Sequence, residues 1–329
     1  MDATLRVGLA GAGWVSAYHL AAWRAVTGVD VVAIADRDRR RAEERAAAFG
    51  IAHVRDDVAQ MLDEDRLDAL DIATPMDTHA ACCRLAAKRG VAILCQKPLA
   101  PSLAEARELV RDVAGRVRFM INENWRFRPH YRQVKQWIDS ATGPVQQFRL
   151  AARSSGLIAD TAGNRPALSR QPFLATLERF VIGELLTHHL DVARWLVGPL
   201  EVRAALANHG MFIGEHGATI LLASPSGCAV IVEGNLAAPG FAPTPVDALD
   251  IVGTCASVRL AGNELTLYGT QDDRRCIDLA TNYQLGFTGA AAHFTSCLRN
   301  DRPFESDAAD NLATLALVDD AYRRIEACR

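Results

Sequence analysis

Two groups of residues in this chain have the types and spacing that proton and hydride chemistry needs. Glu184, His188 and Asp191 stand in GELLTHHLDVARWLVG at offsets of four and seven. On a 3.6-residue helix these offsets fall on one face, and Trp195 continues the stripe. A polar face on an otherwise apolar helix marks a buried or cleft-lining surface. Histidine is the natural general base there, because its ordinary pKa lies near neutrality. Two ligands at i, i+4 could also begin a metal site, but no HExxH is present and no further cluster joins them. No metal is expected. His189 points about 100° away from His188 and reads as structural. Lys97 is the second centre. It follows the apolar run Val91 to Cys95 and precedes Pro98, which stiffens the backbone. Position alone would also suit a solvated lysine.

The element that must position such a lysine begins the chain. Arg6 to Ala10 is a short apolar strand leading into Gly11-Ala12-Gly13, and a helix follows. Gly11 permits the tight turn. Gly13 lets the backbone approach a pyrophosphate, since a Cβ there would collide with it. The helix aims its first N–H groups, through Trp14 and Val15, and the positive end of its dipole at that anion. Ser16 takes the third small position, where Gly or Ala is usual. Val29 to Ala35 is a second buried strand. Asp36 ends it 23 residues beyond Gly13, near the spacing of a carboxylate for an adenosine ribose. The alternative is an ordinary βαβ turn of another doubly wound protein. Asp36 favours NAD, because a carboxylate repels a 2′-phosphate, while Arg37 beside it leaves NADP open.

Strands and helices then alternate. Helices are expected over Arg39–Phe49, closed by Gly50, over Asp57–Asp63, over Thr78–Arg89, and from a capping box at Ser102 and Glu105. Strands are expected at 51–54, 67–73, 91–95 and 116–121. This is a doubly wound parallel sheet, whose ligands lie at the carboxyl ends of its strands. Those ends carry Gly11 to Gly13, Asp36, Thr74-Pro75, Gln96-Lys97-Pro98 and Asn122-Glu123-Asn124. After about residue 121 the texture changes. An amphipathic helix at 131–140 is followed by a strand at 146–154 and a helical stretch at 177–197. Six more strands between 202 and 268 and two closing helices, at about 287–299 and 306–327, complete an α+β domain with a large antiparallel sheet.

Composition narrows the classes. The 329 residues suffice for two domains, half of them are hydrophobic, and the net charge of −3 indicates no nucleic-acid partner. No apolar run is long enough to span a membrane, and the first strand starts without an export signal. The eight cysteines, Cys82, Cys83, Cys95, Cys228, Cys255, Cys276, Cys297 and Cys328, form no CxxC pair. They read as reduced filler in a cytoplasmic protein.

The whole chain resembles the Gfo/Idh/MocA family of sugar and cyclitol oxidoreductases. The resemblance rests on GLAGAGWVSAYH, DIATPMDTH, CQKPLA, NENWRFRPHY and ELLTHHLDVARWLVG, in that order and spacing. It implies an α/β Rossmann dinucleotide-binding domain, placed here at residues 1–121. An α+β domain at 122–329 follows, with a large, mostly antiparallel open sheet that takes part in a homo-oligomer, a dimer or tetramer. Lys97 occupies the lysine of the family's Glu-Lys-Pro motif, with Gln96 in place of Glu. That change removes a carboxylate beside the ammonium group. Glu184, His188 and Asp191 fit a second motif, with Glu for the commoner Asp. By this resemblance His188 is the general base, Lys97 orients the reacting hydroxyl, and Glu184 bonds the sugar or His188. The cofactor contacts would be Gly11, Gly13, Trp14, Val15, Asp36, Arg37, Thr74, Pro75, His79, Gln96, Lys97 and Asn124. Lys97, Asn124, Arg126, Arg153, Arg165, Glu184 and His188 would form the substrate pocket, each arginine having a surface or inter-domain ion pair as its alternative. Tyr18 and His19 lie near the phosphate end of the first helix. The QKP variant with the ENWR segment is similar to D-apiose dehydrogenase-like members. The same residues would serve a ketosugar reductase of a biosynthetic pathway. A non-catalytic dinucleotide-binding regulator would be expected to have lost the lysine or the histidine.

Overall fold

The glycine turn joins strand to helix as expected in the computed structural model, which describes residues 4–269 and 272–327. Strand β1 is Leu5–Ala10 and helix α1 is Ser16–Arg24. Then come β2 (Val29–Ala35), α2 (Arg39–Phe49), β3 (His53–Arg55), α3 (Val58–Glu64), β4 (Ala69–Ile72), α4 (His79–Lys88), β5 (Ala92–Cys95), α5 (Leu103–Val113) and β6 (Phe119–Ile121). All pairings are parallel and the strand order is β3-β2-β1-β4-β5-β6. That is the order of a dinucleotide-binding Rossmann sheet. Local chemistry explains the helix ends. Asp38 caps α2 by accepting from the Arg41 N–H, and Gly50 closes it at φ 71°. Ser102 and Glu105 form the expected capping box on α5, the Ser102 hydroxyl donating to the Glu105 carboxylate at 2.8 Å.

The chain divides into two compact units, Met1–Pro129 with Thr281–Ala313, and His130–Ala280 with Thr314–Arg329. In the first unit, the two faces of the sheet are covered separately. Leu9, Leu20, Ile34, Ala42 and Ile51 form one apolar cluster. Val7, Trp23, Met120, Phe127, Phe287, Phe294 and Phe304 belong to the other. Burying each such side chain is worth about 1.5–3 kcal/mol.

The second unit holds α6 (Pro129–Ser140), β7 (Val145–Arg153), α7 (Pro166–Arg170), a π-helical turn at Val181–Leu186, α8 (Thr187–Val197), β8 (Glu201–Asn208), β9 (Gly217–Ala223), β10 (Ala229–Asn235), β11 (Val246–Gly253), β12 (Ser257–Ala261), β13 (Glu264–Tyr268) and β14 (Asp273–Cys276). The sheet order is β14-β13-β12-β11-β7-β10-β9-β8. Only β7 with β10 is parallel, so the sheet is mostly antiparallel as expected. Two closing helices follow, α9 (Leu279–Arg299) and α10 (Ala308–Ala327).

Three expectations about elements are corrected. Strand β14 and the short α7 carry no sequence pattern that announces them. Helix α9 starts eight residues before 287, and Gly286 and Gly289 lie inside it. Both are packing glycines, since a Cβ on Gly286 would lie 2.8 Å from the Asn124 carbonyl oxygen and one on Gly289 would lie 2.9 Å from Phe127 Cβ. The helical stretch at 177–197 starts at Val181, and its first six residues are π-helical. Among the described residues, no helix is long and apolar enough to cross a membrane. The seven described cysteines are free thiols, and Cys328 lies outside the described residues.

Candidate active site

In the Rossmann unit the carboxyl ends of adjacent strands bring the predicted cofactor residues to one edge. Gly11 has φ +100°, and a Cβ on it would lie 2.6 Å from the Ala73 carbonyl oxygen just past β4, so the turn from β1 into α1 demands glycine. Gly13 differs. Its Cβ position has no atom within 4 Å. It borders a cleft of about 300 Å³ lined by Ala12, Gly13, Trp14, Arg41, Glu44 and Arg45. Trp14 is half exposed there and leans on Tyr18 at 4.9 Å between ring centroids. Arg45 donates to the Gly13 carbonyl at 3.3 Å.

Asp36 does more than end β2. One of its carboxylate oxygens accepts the Ala12 N–H at 2.6 Å and the other accepts the Asp38 N–H at 2.8 Å. The acid therefore fixes the glycine turn from the neighbouring strand. Each oxygen keeps a lone pair for a ribose hydroxyl. Arg37 is exposed beside it.

His79, expected against the cofactor, is buried beneath the site. Its Nδ1 lies 2.9 Å from the Pro98 carbonyl oxygen and its Nε2 lies 2.9 Å from that of Thr74. Burial holds its pKa below the usual histidine range, against the pull of the two carbonyls. The ring thus ties the Thr74-Pro75 loop to the loop carrying Lys97, whose peptide to Pro98 is cis. Gln96 turns its side-chain oxygen back to accept the Lys97 N–H at 3.0 Å.

The first helix is anchored by chemistry the sequence reading leaves open. His19 Nδ1 donates to Asp71 of β4 at 2.9 Å, and Trp23 donates to the same carboxylate at 2.6 Å. Asn122 Nδ2 lies 3.4 Å from His19 Nε2. All four residues are buried. His19 is therefore a structural residue of the core, and Tyr18 packs on Phe287 and Tyr283. Past β6, Asn311 Nδ2 donates to buried Glu123 at 3.0 Å. Arg126, offered above as a pocket residue, is buried and bonds Asp310 at 2.6 Å and the Glu305 carbonyl at 2.5 Å.

The second unit carries the other predicted group. His188 lies in the first turn of α8, with 4% of its surface exposed, and Glu184 is half buried in the π-helical turn before it. Asp191 is fully buried and accepts the Thr314 hydroxyl at 2.8 Å. Trp195 lies under the Arg132 guanidinium at 4.9 Å. His189 is structural as expected. Its Nε2 lies 2.9 Å from Asp247 and its Nδ1 3.2 Å from the Leu185 carbonyl oxygen. Tyr131 donates to the other Asp247 oxygen at 2.8 Å.

Arg153 and Arg165 are not brought to this helix. The helix side of the sheet carries the alternate residues Phe148, Leu150 and Ala152 of β7 and Val230, Val232 and Gly234 of β10, where a Cβ on Gly234 would lie 2.8 Å from Leu186 Cδ2. Arg153 is of the opposite parity and pairs with Glu233 on the outer face, alongside Arg149. Burial raises the Glu233 carboxyl, and the two arginines outweigh it to leave the group below its usual range. Arg165 donates to the Leu157 carbonyl and stacks on Phe212.

A dinucleotide fits the Rossmann edge. The open Cβ position of Gly13 lets an anion reach the backbone, a cleft lies beside it, and Asn124 Nδ2 is a buried amide donor with no partner among the described residues. Comparison with known proteins agrees. Residues 5–122 match the family model for the oxidoreductase family with an NAD-binding Rossmann fold. A D-apiose dehydrogenase from Paraburkholderia graminis is 34% identical over 95% of this chain and 86% of its own. A second, from Rhizobium rhizogenes, is 32% identical over 97% and 94%. An oxidoreductase from Agrobacterium radiobacter, solved with NAD+, L-tartaric acid and magnesium, superposes with a TM-score of 0.91 at 31% identity, covering 99% of this chain and 97% of its own. The chain belongs to the Gfo/Idh/MocA family of oxidoreductases, with an NAD-binding Rossmann domain.

Proposed function

We propose that the enzyme is an NAD-dependent dehydrogenase acting on a secondary or hemiacetal hydroxyl of a sugar, with D-apiose as the first candidate substrate. The observation that carries this is that one chain retains both Lys97, at the carboxyl end of a Rossmann strand, and His188, on a largely buried helix. NAD, when bound, supplies the hydride acceptor at C4 of its nicotinamide. Gly11, Gly13, Trp14 and Val15 would hold its pyrophosphate, Asp36 its adenosine ribose, and Asn124 a polar group at the far end. His188 takes the proton of the substrate hydroxyl as general base. Lys97 orients that hydroxyl and stabilises the developing alkoxide by its charge. Glu184 bonds the sugar or His188. The family relatives support the substrate class, since two of them are D-apiose dehydrogenases.

The test is NADH formation with D-apiose and a panel of aldoses, inositols and sugar acids, for the wild type and His188→Ala. Loss of the base should lower kcat by about 10²–10⁴-fold. Turnover surviving within about tenfold would remove His188 from the role. The outer sheet face presents Leu206, Leu221 and Val252, at 66, 41 and 39% exposure. It supports assembly into a dimer or tetramer through this face, which light scattering returning a monomer would exclude.

A further inference from the structure

The π-helical turn that carries Glu184 and leads into His188 starts without a cap of its own. Its N-cap residue is Phe180, whose side chain accepts nothing. A helix leaves its first N–H groups without intrahelical acceptors, and a π-helical start leaves one more. Here the acceptors come from distant parts of the same unit. The Ile182 N–H donates to Glu215 Oε1 at 2.8 Å and the Phe180 N–H donates to Oε2 at 3.3 Å. The Gly183 N–H donates to the Tyr322 hydroxyl at 3.2 Å, and that hydroxyl donates in turn to Glu215 Oε1 at 2.7 Å. Burial, with Glu215 beside it, pushes the Tyr322 phenol far above its usual range, so it stays a donor.

Glu215 has no exposed surface. A carboxylate so buried is tolerated only where hydrogen bonds and opposite charge replace water. Two backbone N–H groups, a phenol and the positive end of a helix do so here. The chain is shaped to allow the approach. A Cβ on Gly214 would lie 2.5 Å from the Leu177 carbonyl oxygen and 2.8 Å from Phe180 Cβ. On its other side the turn sits on Gly234 of β10.

We propose that Glu215, with Tyr322, is a positioning residue for catalysis: it fixes the π-helical turn and thereby sets where Glu184 and His188 point. This rests on the reading of His188 as general base. The carboxylate acts through the backbone and touches neither substrate nor cofactor.

The experiment is a double-mutant cycle with D-apiose, or whichever sugar of the panel turns over fastest, and NAD. Glu215→Gln keeps the size of the side chain but turns an amide donor toward a donor. It should lower kcat about tenfold or more while KM for NAD stays within about twofold, because a misplaced base costs rate. In the His188→Ala background the same change should cost less than about twofold, because groups acting as one unit are not additive. Tyr322→Phe, which keeps Glu215, should give a smaller fall in kcat that also vanishes in that background. It carries the test if Glu215→Gln does not fold. An unchanged kcat in Glu215→Gln overturns the proposal. So does an equal loss with and without His188, which would mark a purely structural residue. Failure of the base assignment shows separately, in His188→Ala alone.

Discussion

Replacing Gly11 and Gly13 by alanine, one at a time, should separate a glycine that the fold needs from one that the ligand needs. At Gly11 the backbone has φ +100°, which costs an L-residue about 1–3 kcal/mol. The new methyl would also meet the Ala73 carbonyl oxygen at 2.6 Å, a backbone atom that cannot swing aside. Overpacking of this kind costs about 1–3 kcal/mol more. The middle of the combined range is about 4 kcal/mol. At roughly 2–4 °C per kcal/mol for a domain of this size, Tm should fall by about 8–16 °C. At Gly13 no atom lies within 4 Å of the new methyl, and the backbone is not left-handed. Alanine there should change stability by less than about 1 kcal/mol, and a gain is as reasonable as a loss because the unfolded chain is stiffened. The methyl would nonetheless stand where a pyrophosphate meets the backbone. Losing one hydrogen bond to a charged group, about 1.5–3 kcal/mol, weakens NAD binding by about tenfold to hundredfold. Calorimetric unfolding without cofactor and titration calorimetry with NAD read the two effects. A Gly13→Ala protein that bound NAD within twofold of the wild type would refute the placement of the anion. A Gly11→Ala protein with an unchanged Tm would refute the account of the turn.

Asp36→Ser should weaken NAD about tenfold, since the carboxylate that holds the Ala12 N–H and faces the ribose is lost, while the NADP/NAD affinity ratio rises as the negative charge goes; an unchanged ratio in paired titrations would count against it. Asp65 is buried; burial raises its carboxyl, and Arg55 and His53 outweigh that to leave it below the usual range. Its folded pKa is thus below the unfolded value of about 3.9, so its stabilisation is complete above about pH 4 and drains away as pH falls through the folded value. Asp65→Asn should lower Tm at neutral pH and flatten the acid limb of a Tm-against-pH curve, and an acid limb identical to wild type would rule this out.

Much of the Rossmann half was legible because its devices are local. A glycine with positive φ, a capping box and an acid after a buried strand each leave a mark within a few residues. The acid's second duty was hidden, because a side chain that bonds Ala12 from 24 positions away has no local mark. The π-helical turn was hidden for a related reason. Its cause lies partly in Glu215 and Tyr322, and over six residues the hydrophobic spacing of an i→i+5 turn does not differ from that of an α-helix. Neither the resemblance nor charge separates a pocket arginine from one in a surface ion pair. The parity of β7 places Arg153 opposite to Phe148 and Leu150, and counting from that apolar alternation would have separated it from the helix side. The resemblance offers His79 as a cofactor contact, and no local pattern announces that its ring lies against the Thr74 and Pro98 carbonyls.

The return of the chain to its first unit has a consequence for synthesis. Ile121 of the last Rossmann strand donates its N–H to the Ser306 carbonyl at 2.8 Å, and Met120 forms an antiparallel bridge with Asp307. Phe287, Phe294 and Phe304 fill one of the sheet's two apolar clusters. A ribosome adding about 5–20 residues per second needs roughly 8–30 s to pass from residue 130 to residue 280. Through that interval the nascent cofactor domain waits with the outer edge of β6 lacking its Ser306 and Asp307 contacts, and with Trp23 and Met120 lacking the phenylalanines of their cluster, while the whole of the second sheet is made. The first domain to begin emerging is therefore still incomplete when the second sheet has been made, and a gene fragment ending at residue 121 would lack the Phe287, Phe294 and Phe304 half of its apolar cluster.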